Sequence, residues 1–458
     1  MDFIVLVFSI VLLRLNYLFE SKTQQLFVLM ICLIPFWVVI VKNILLNAKM
    51  KNEKIIIKTK KIEPTLLLVF FVFIILLIIA CFRGLFSQTL SFGDFGLLLI
   101  NWITVIVFGL AVFLIYRNEK DTLQLRKGIL YAIGMYVCFN VILELLGVDS
   151  STRFSTAYQG ETAGKATILS LFGIDRDRVF FPLANGVNSF GSVSGASLFV
   201  GISFISRLAA KISHKTIGAI ISLASLYAII STDSRGSILY VVIAICIINF
   251  TPIKILQKLP WMAFCSPILP LLSMSYSTII LASGFLDSLS RNANDLQQLG
   301  GRLLIWNNVL VELSNPSLIH LLGYGVYGQM ASGLSNSYSE IAAGYASPER
   351  MSVHNFFMQY ILDMGYLGAA LFITLLFLII RQILSLYNSS EYKQHSRVTL
   401  GLLIYFILTS TNEVTLTIYN PEIFTIFILL VIANLTKVNN LKQSTSPNSV
   451  SSSFSRLR

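Results

Sequence analysis

Residues 66–82 read LLLVFFVFIILLIIACF, an apolar run without a charged side chain. A helix of about 20 residues crosses the hydrocarbon core of a bilayer. Within that core only helices and closed barrels satisfy their backbone hydrogen bonds. The run is continuous rather than alternating, so it reads as a helix. Working outward from it, runs of the same kind recur, Leu371–Ile380 with its upstream flank among them. Composition agrees: of 458 residues, 55% are hydrophobic and 12% charged, against about 25% charged in a soluble domain. The pattern predicts an all-α, polytopic integral membrane protein of about twelve transmembrane helices. Their spans are 3–19, 25–41, 65–82, 95–116, 128–147, 188–206, 217–231, 237–250, 260–284, 356–380, 398–411 and 422–435. Phe3–Leu13 lacks a basic leader and a small-residue cleavage site, so it reads as a retained helix and not a signal peptide.

Twelve spans place both termini on one side, and the basic residues say which. The connections 42–64, 117–127, 207–216, 251–259 and 381–397, with the tail 436–458, hold 23 of the 34 Lys and Arg. The opposite connections are longer yet hold ten. Positively charged loops stay in the cytoplasm, which assigns the first set and both termini to that side. The net charge of +12 therefore belongs to cytoplasmic loops. No aromatic residues interleave the lysines at 49–61, so nucleic acid is not the expected partner. Residues 1–435 form the transmembrane domain, and the Ser-rich tail 436–458 reads as disordered. The five cysteines lie singly in apolar runs, without metal-ligand spacing.

Two outer loops are long, 148–187 and 285–355. The second, between spans nine and ten, is long enough to form a small cap, and its polar content makes it a functional candidate. Three sites stand out on this outer face. Arg235 follows Asp233 and Ser234 in a short turn between spans seven and eight, where it is either functional or a snorkelling interfacial arginine. Gly300, Gly301 and Arg302 precede an apolar stretch containing Trp306; free backbone N–H groups beside an arginine suit an anion, or simply start a helix. His354-Asn355 stands immediately before span ten, where a neutral imidazole serves either as a general base or as a polar interface residue. Together, two arginines and a histidine on one leaflet suit a phosphate- or diphosphate-bearing substrate and a hydroxyl to be deprotonated. No dense acidic cluster accompanies them, so neither metal nor cofactor is expected. Two motifs are set aside. Gly323 to Gly328 spells G-x-G-x-x-G without a βαβ context. Asp175-Arg176-Asp177 has arginines at 176 and 178 to pair its aspartates.

The order and spacing of these residues resemble the bacterial O-antigen ligase and O-antigen polymerase family of membrane glycosyltransferases. The resemblance rests on Ser234–Gly236, Gly301-Arg302 with Trp306, Pro316, Gly323 and Gly325, then His354-Asn355 with Gly365 and Gly368, and on Asn188 before a middle helix. It covers about residues 180–370. It implies a glycan carried on undecaprenyl diphosphate, transferred to an acceptor hydroxyl at the periplasmic face of the bacterial inner membrane. Arg235 and Arg302 then hold the diphosphate, His354 is the base, and Gly301, Asn355, Asn188 and Trp306 line the substrate site. The implied partners are the lipid-linked glycan, an acceptor glycan or lipid A–core, membrane lipid and a chain-length regulator. Polymerisation of O-antigen or other surface-polysaccharide repeat units is favoured over ligation to lipid A–core, as in lipopolysaccharide biosynthesis. The alternative of another class, a twelve-helix transporter or flippase, would need ionisable residues in mid-span, for which Arg14 and Glu144 are the candidates.

Overall fold

The computed structural model describes residues 11, 13–19, 21–52, 63–118, 122–149, 166–170, 172–208, 212–268, 302–339, 348–387 and 393–435. The long helices are α1 (Lys22–Asn52), α2 (Pro64–Phe86), α3 (Phe92–Asn118), α4 (Thr122–Leu145), α5 (Val187–Ser203), α6 (Ile212–Ser231), α7 (Arg235–Phe250), α8 (Arg302–Leu313), α9 (Phe356–Leu386), α10 (Lys393–Ser410) and α11 (Pro421–Ala433). Local chemistry sets several of their starts. Proline opens α2 and α11, where its missing N–H costs nothing. The Asn420 and Asn355 side chains cap α11 and α9 by accepting from Ile423 N–H (3.2 Å) and Met358 N–H (3.0 Å).

Six helices are long and apolar enough to cross a membrane: Lys22–Val39, Pro64–Phe86, Leu125–Leu145, Val187–Ser206, Ile212–Ser231 and Phe356–Leu386. A seventh is added if Arg235–Phe250 and Ile253–Trp261 form one span, though they meet at a bend of 118°. The chain is thus all-helical and multi-pass, and the expected count of twelve exceeds what these lengths support among the described residues. The differences have physical causes. Pro252 stands at the 118° bend, inside the expected connection 251–259, and residues 269–284 of the expected span 260–284 lie outside the described residues. Helix α11 has 13 residues, nearly all fully buried by protein, and so is too short to span the bilayer alone. Of the expected span 3–19 the described part ends in a single turn at Leu15–Leu18. The tail 436–458 lies outside the described residues.

Helix α5 is the central post, packed against α4, α6, α7, α10 and α11. Small residues permit this, as is usual between membrane helices; Ser225 Oγ of α6 donates to Ser197 Oγ of α5 at 2.7 Å. Arg14 is buried, and its guanidinium donates to Pro421 O (2.7 Å) and Thr425 Oγ1 (3.0 Å) of α11. Glu144 accepts from Arg176 (3.0 Å) and Tyr227 Oη (2.8 Å). Both candidate transport residues thus tie elements together.

The described part of 285–355 forms a cap with its own small core of Ile305, Trp306, Val309, Leu334, Tyr338 and Val353, continuous with Met358 and Leu362 of α9. From it, residues 323–328 enter the bundle between α2 and α9. Tyr324 N–H donates to Leu362 O (2.6 Å), Gly325 N–H to Asp363 O (3.0 Å) and Val326 N–H to Ala80 O (3.0 Å). The G-x-G-x-x-G motif is explained by this insertion. A Cβ at Gly323 would stand 2.5 Å from the Asp363 backbone, at Gly325 2.6 Å from Gly84 N, and at Gly328 2.4 Å from Leu362 O. Gly325 also has φ +96, which a side chain tolerates poorly. Gly325→Ala is therefore expected to lower stability by at least about 2 kcal/mol. Gly96→Ala, where nothing lies within 4 Å, should be neutral in the same thermal unfolding measurement in detergent.

Candidate active site

The turn between α6 and α7 is built from its own short polar side chains. Asp233 adopts φ 52, a left-handed conformation that aspartate tolerates better than most residues. Its carboxylate accepts from Ile168 N–H at 3.1 Å and lies 3.8 Å from Arg235 Nε. The segment before α5 is strapped onto this turn. Val179 N–H donates to Ser231 O (2.9 Å), and Arg178 Nε donates to Thr232 O (2.7 Å). Arg178 Nη2 donates to Asn188 Oδ1 in the first turn of α5 (2.5 Å). Asn188, expected to meet the substrate, thus orients an arginine. That arginine, Arg178, was expected to serve the neighbouring aspartates, while Arg176 reaches Glu144.

At the head of α9, His354 has φ 51, an uncommon backbone for a residue with a side chain. Its neighbours hold it there. Trp306 is fully buried, and its indole N–H donates to Val353 O at 2.9 Å. Asn355 is also fully buried; besides capping α9, its Nδ2 donates to Thr411 O at 2.8 Å. Both were expected among substrate-lining residues, and the structure places both behind His354, where they act on its backbone. The imidazole itself is 15% exposed, with Nδ1 3.1 Å from Glu413 Oε2.

Glu413 is the group around which the site assembles. It lies between α10 and α11, and its other oxygen, Oε1, accepts from Arg302 at the start of α8. Burial would raise this carboxyl, but Arg302, His354 and Arg178 outweigh it and hold it at about 2. It is therefore ionised at neutral pH. With Nδ1 donating to the carboxylate, Nε2 is left facing away from Glu413 as the free ring nitrogen for a proton. Tyr240, from the second turn of α7, receives a hydrogen bond from Asn412 and brings the Arg235 helix to the same loop. The Ser234 hydroxyl occupies the space a Cβ would need at Gly191 of α5, which fixes the turn against the central post.

Of the expected residues, Arg302 and His354 meet directly on one carboxylate. Asn188 joins them through Arg178, and Arg235 stands in the turn whose Thr232 carbonyl Arg178 also binds. Gly301 lies outside the described residues. Sequence reasoning missed Glu413 and the role of Arg178. The available signal was an acidic residue in the short outer connection 412–421, on the same face as His354.

Residues 220–373 match the family model described as O-Antigen ligase. The chain carries an O-antigen ligase family domain. No curated protein matches the chain. The O-antigen ligase domain includes Arg235, Arg302, Trp306, His354 and Asn355, whereas Arg178, Asn188 and Glu413 fall outside the matched stretch. Side chains on both sides of the matched stretch thus join those within it.

Proposed function

We propose that the protein transfers an undecaprenyl-diphosphate-linked oligosaccharide or polysaccharide to an acceptor hydroxyl at the periplasmic face of the inner membrane, as a repeat-unit polymerase. Both termini are cytoplasmic in this reading. The observation that carries it is the convergence of Arg302 and His354 on the ionised Glu413, with Arg178 adding to the field. The acceptor oxygen attacks the anomeric carbon, and its proton passes to His354 Nε2. The bond from that carbon to the diphosphate oxygen breaks, and undecaprenyl diphosphate leaves with the electron pair. Arg302 and Arg235 hold the departing diphosphate. A lipid diphosphate is a good leaving group, so positioning and charge stabilisation supply most of the catalysis. The charge is met by arginines, so the transfer needs no metal and should persist in the presence of a chelator.

The test is deletion of the gene in its host, complemented with the wild-type chain, and surface glycans read on a gel. A single repeat unit left on lipid A–core supports polymerisation. Long chains retained on the carrier lipid would make the protein a ligase instead. Unchanged surface glycan after deletion would remove the transferase reading.

A further inference from the structure

Beneath the His354–Glu413 pair lies a second polar cluster that the transfer chemistry does not use. Gln359, Gln329 and Asp363 are buried, at 0%, 0% and 4% exposure. Gln359 and Asp363 are one turn apart on α9, and Gln359 Nε2 donates to Asp363 Oδ1 (2.9 Å) and to Gln329 Oε1 (2.8 Å). Asp363 Oδ1 also accepts from Gly328 N–H (3.0 Å), and Oδ2 accepts from Tyr419 Oη (2.9 Å). Tyr419 Oη in turn accepts from Tyr327 N–H at 2.7 Å. Burying this many polar atoms costs free energy that apolar side chains would not, and each is matched to a partner instead.

Where the partners lie gives the cluster a purpose. Gln359 Oε1 accepts from Val353 N–H at 3.1 Å. Trp306 already binds the Val353 carbonyl, so both backbone polar groups of Val353, the residue before His354, are held. Tyr419 closes the loop that carries Glu413, and Tyr360 Oη, also on α9, donates to Leu416 O of that loop at 2.6 Å. Gly328 and Tyr327 belong to the cap segment inserted between α2 and α9. One carboxylate therefore links the peptide behind the base, the loop of its carboxylate partner and the cap. We infer that Asp363, acting through Gln359 and Tyr419, is a positioning residue that sets His354 against Glu413. The inference rests on the proposed role of His354 as the base.

Asp363→Asn preserves shape but turns an acceptor into a donor facing the Tyr419 hydroxyl, and Tyr419→Phe removes that hydroxyl alone. The assay uses the full-length protein in proteoliposomes, with lipid-linked glycan extracted from the gene-deleted host. A displacement of the base by about 1 Å costs about a hundredfold in rate. Asp363→Asn is expected to lower kcat about 10- to 100-fold with KM for the glycan lipid nearly unchanged, and Tyr419→Phe to do the same more weakly. In a Glu413→Gln background the Asp363→Asn change should add little, because the pair it positions is already broken. A wild-type kcat in folded Asp363→Asn, or an equal loss in both backgrounds, overturns the inference. Should Asp363→Asn fail to insert, Tyr419→Phe in the two backgrounds decides on the same terms. His354→Ala is measured alongside: full activity there would defeat the base reading itself, whatever the Asp363 variants do.

Discussion

Replacing His354 with alanine is expected to lower the transfer rate by about 10²- to 10⁴-fold while the protein still inserts and folds. In the proposed mechanism the loss follows from removing the proton acceptor, whose Nδ1 is committed to Glu413 at 3.1 Å. Glu413→Gln is the sharper test of the arrangement, because it keeps the shape of the side chain and removes its charge. It should cost about a hundredfold or more in rate, since a neutral amide neither selects the same tautomer nor stabilises the imidazolium. A stability effect accompanies it. The Glu413 carboxyl is held at about 2, from an ordinary 4.5, a difference worth on the order of 3 kcal/mol. Because its folded value lies below its unfolded one, this contribution is complete above the unfolded value and is lost as pH falls toward the folded one. Thermal midpoints of wild type and Glu413→Gln should therefore differ by a constant amount between about pH 6 and 8 and converge as acid approaches pH 2. A gap unchanged down to that acidity, or no gap at neutral pH, would show that Glu413 is not held by the charges around it.

Much of this site was legible in order and spacing along the chain. His354-Asn355 before an apolar run announces a helix start with a polar head, and Asn355 indeed caps α9. Arg302 before an apolar stretch announces α8. What one dimension conceals is which loops meet. Glu413 lies 59 residues from His354 and 111 from Arg302, in a short connection whose single acidic residue before Glu422 does not by itself name its partners. The same limit explains Arg178, whose sequence neighbours Asp175 and Asp177 offer obvious partners, yet which reaches Asn188 and Thr232 across a turn. It also explains the glycine motif, whose spacing resembles a nucleotide loop but is required by backbones passing at Gly84 and Leu362. Hydropathy located the helices well, but among the described residues six or seven are long and apolar enough to cross, and hydropathy does not tell a lipid-facing helix from one buried in protein. Helix α11 is as apolar as any span and is enclosed by its neighbours.

The arginines should separate into two classes under substitution. Arg302 contacts Glu413 directly and leads α8, which in the proposed mechanism puts it beside the departing diphosphate. Arg302→Ala removes that positive charge and leaves the buried end of Glu413 without its strongest partner. Losing a preorganised donor of this kind costs about 10²- to 10³-fold in kcat, and Arg302→Lys should recover only part of it, because an ammonium cannot present a planar fork. Arg178 stands differently. Its guanidinium is spent on Thr232 O and Asn188 Oδ1, so it influences the site through its field on Glu413 and by holding the turn that carries Arg235. Arg178→Ala should lower kcat about tenfold, and Asn188→Ala should reproduce part of that loss. Substituting both should cost little more than Arg178→Ala alone, since the two act as one unit. Rates and KM values for the glycan lipid, measured on this series in proteoliposomes, decide the assignment. If Arg302→Lys turns over as wild type does, the guanidinium is no part of the leaving-group site. If Arg178→Ala and Asn188→Ala act additively, Asn188 meets the substrate itself, as the family resemblance implied.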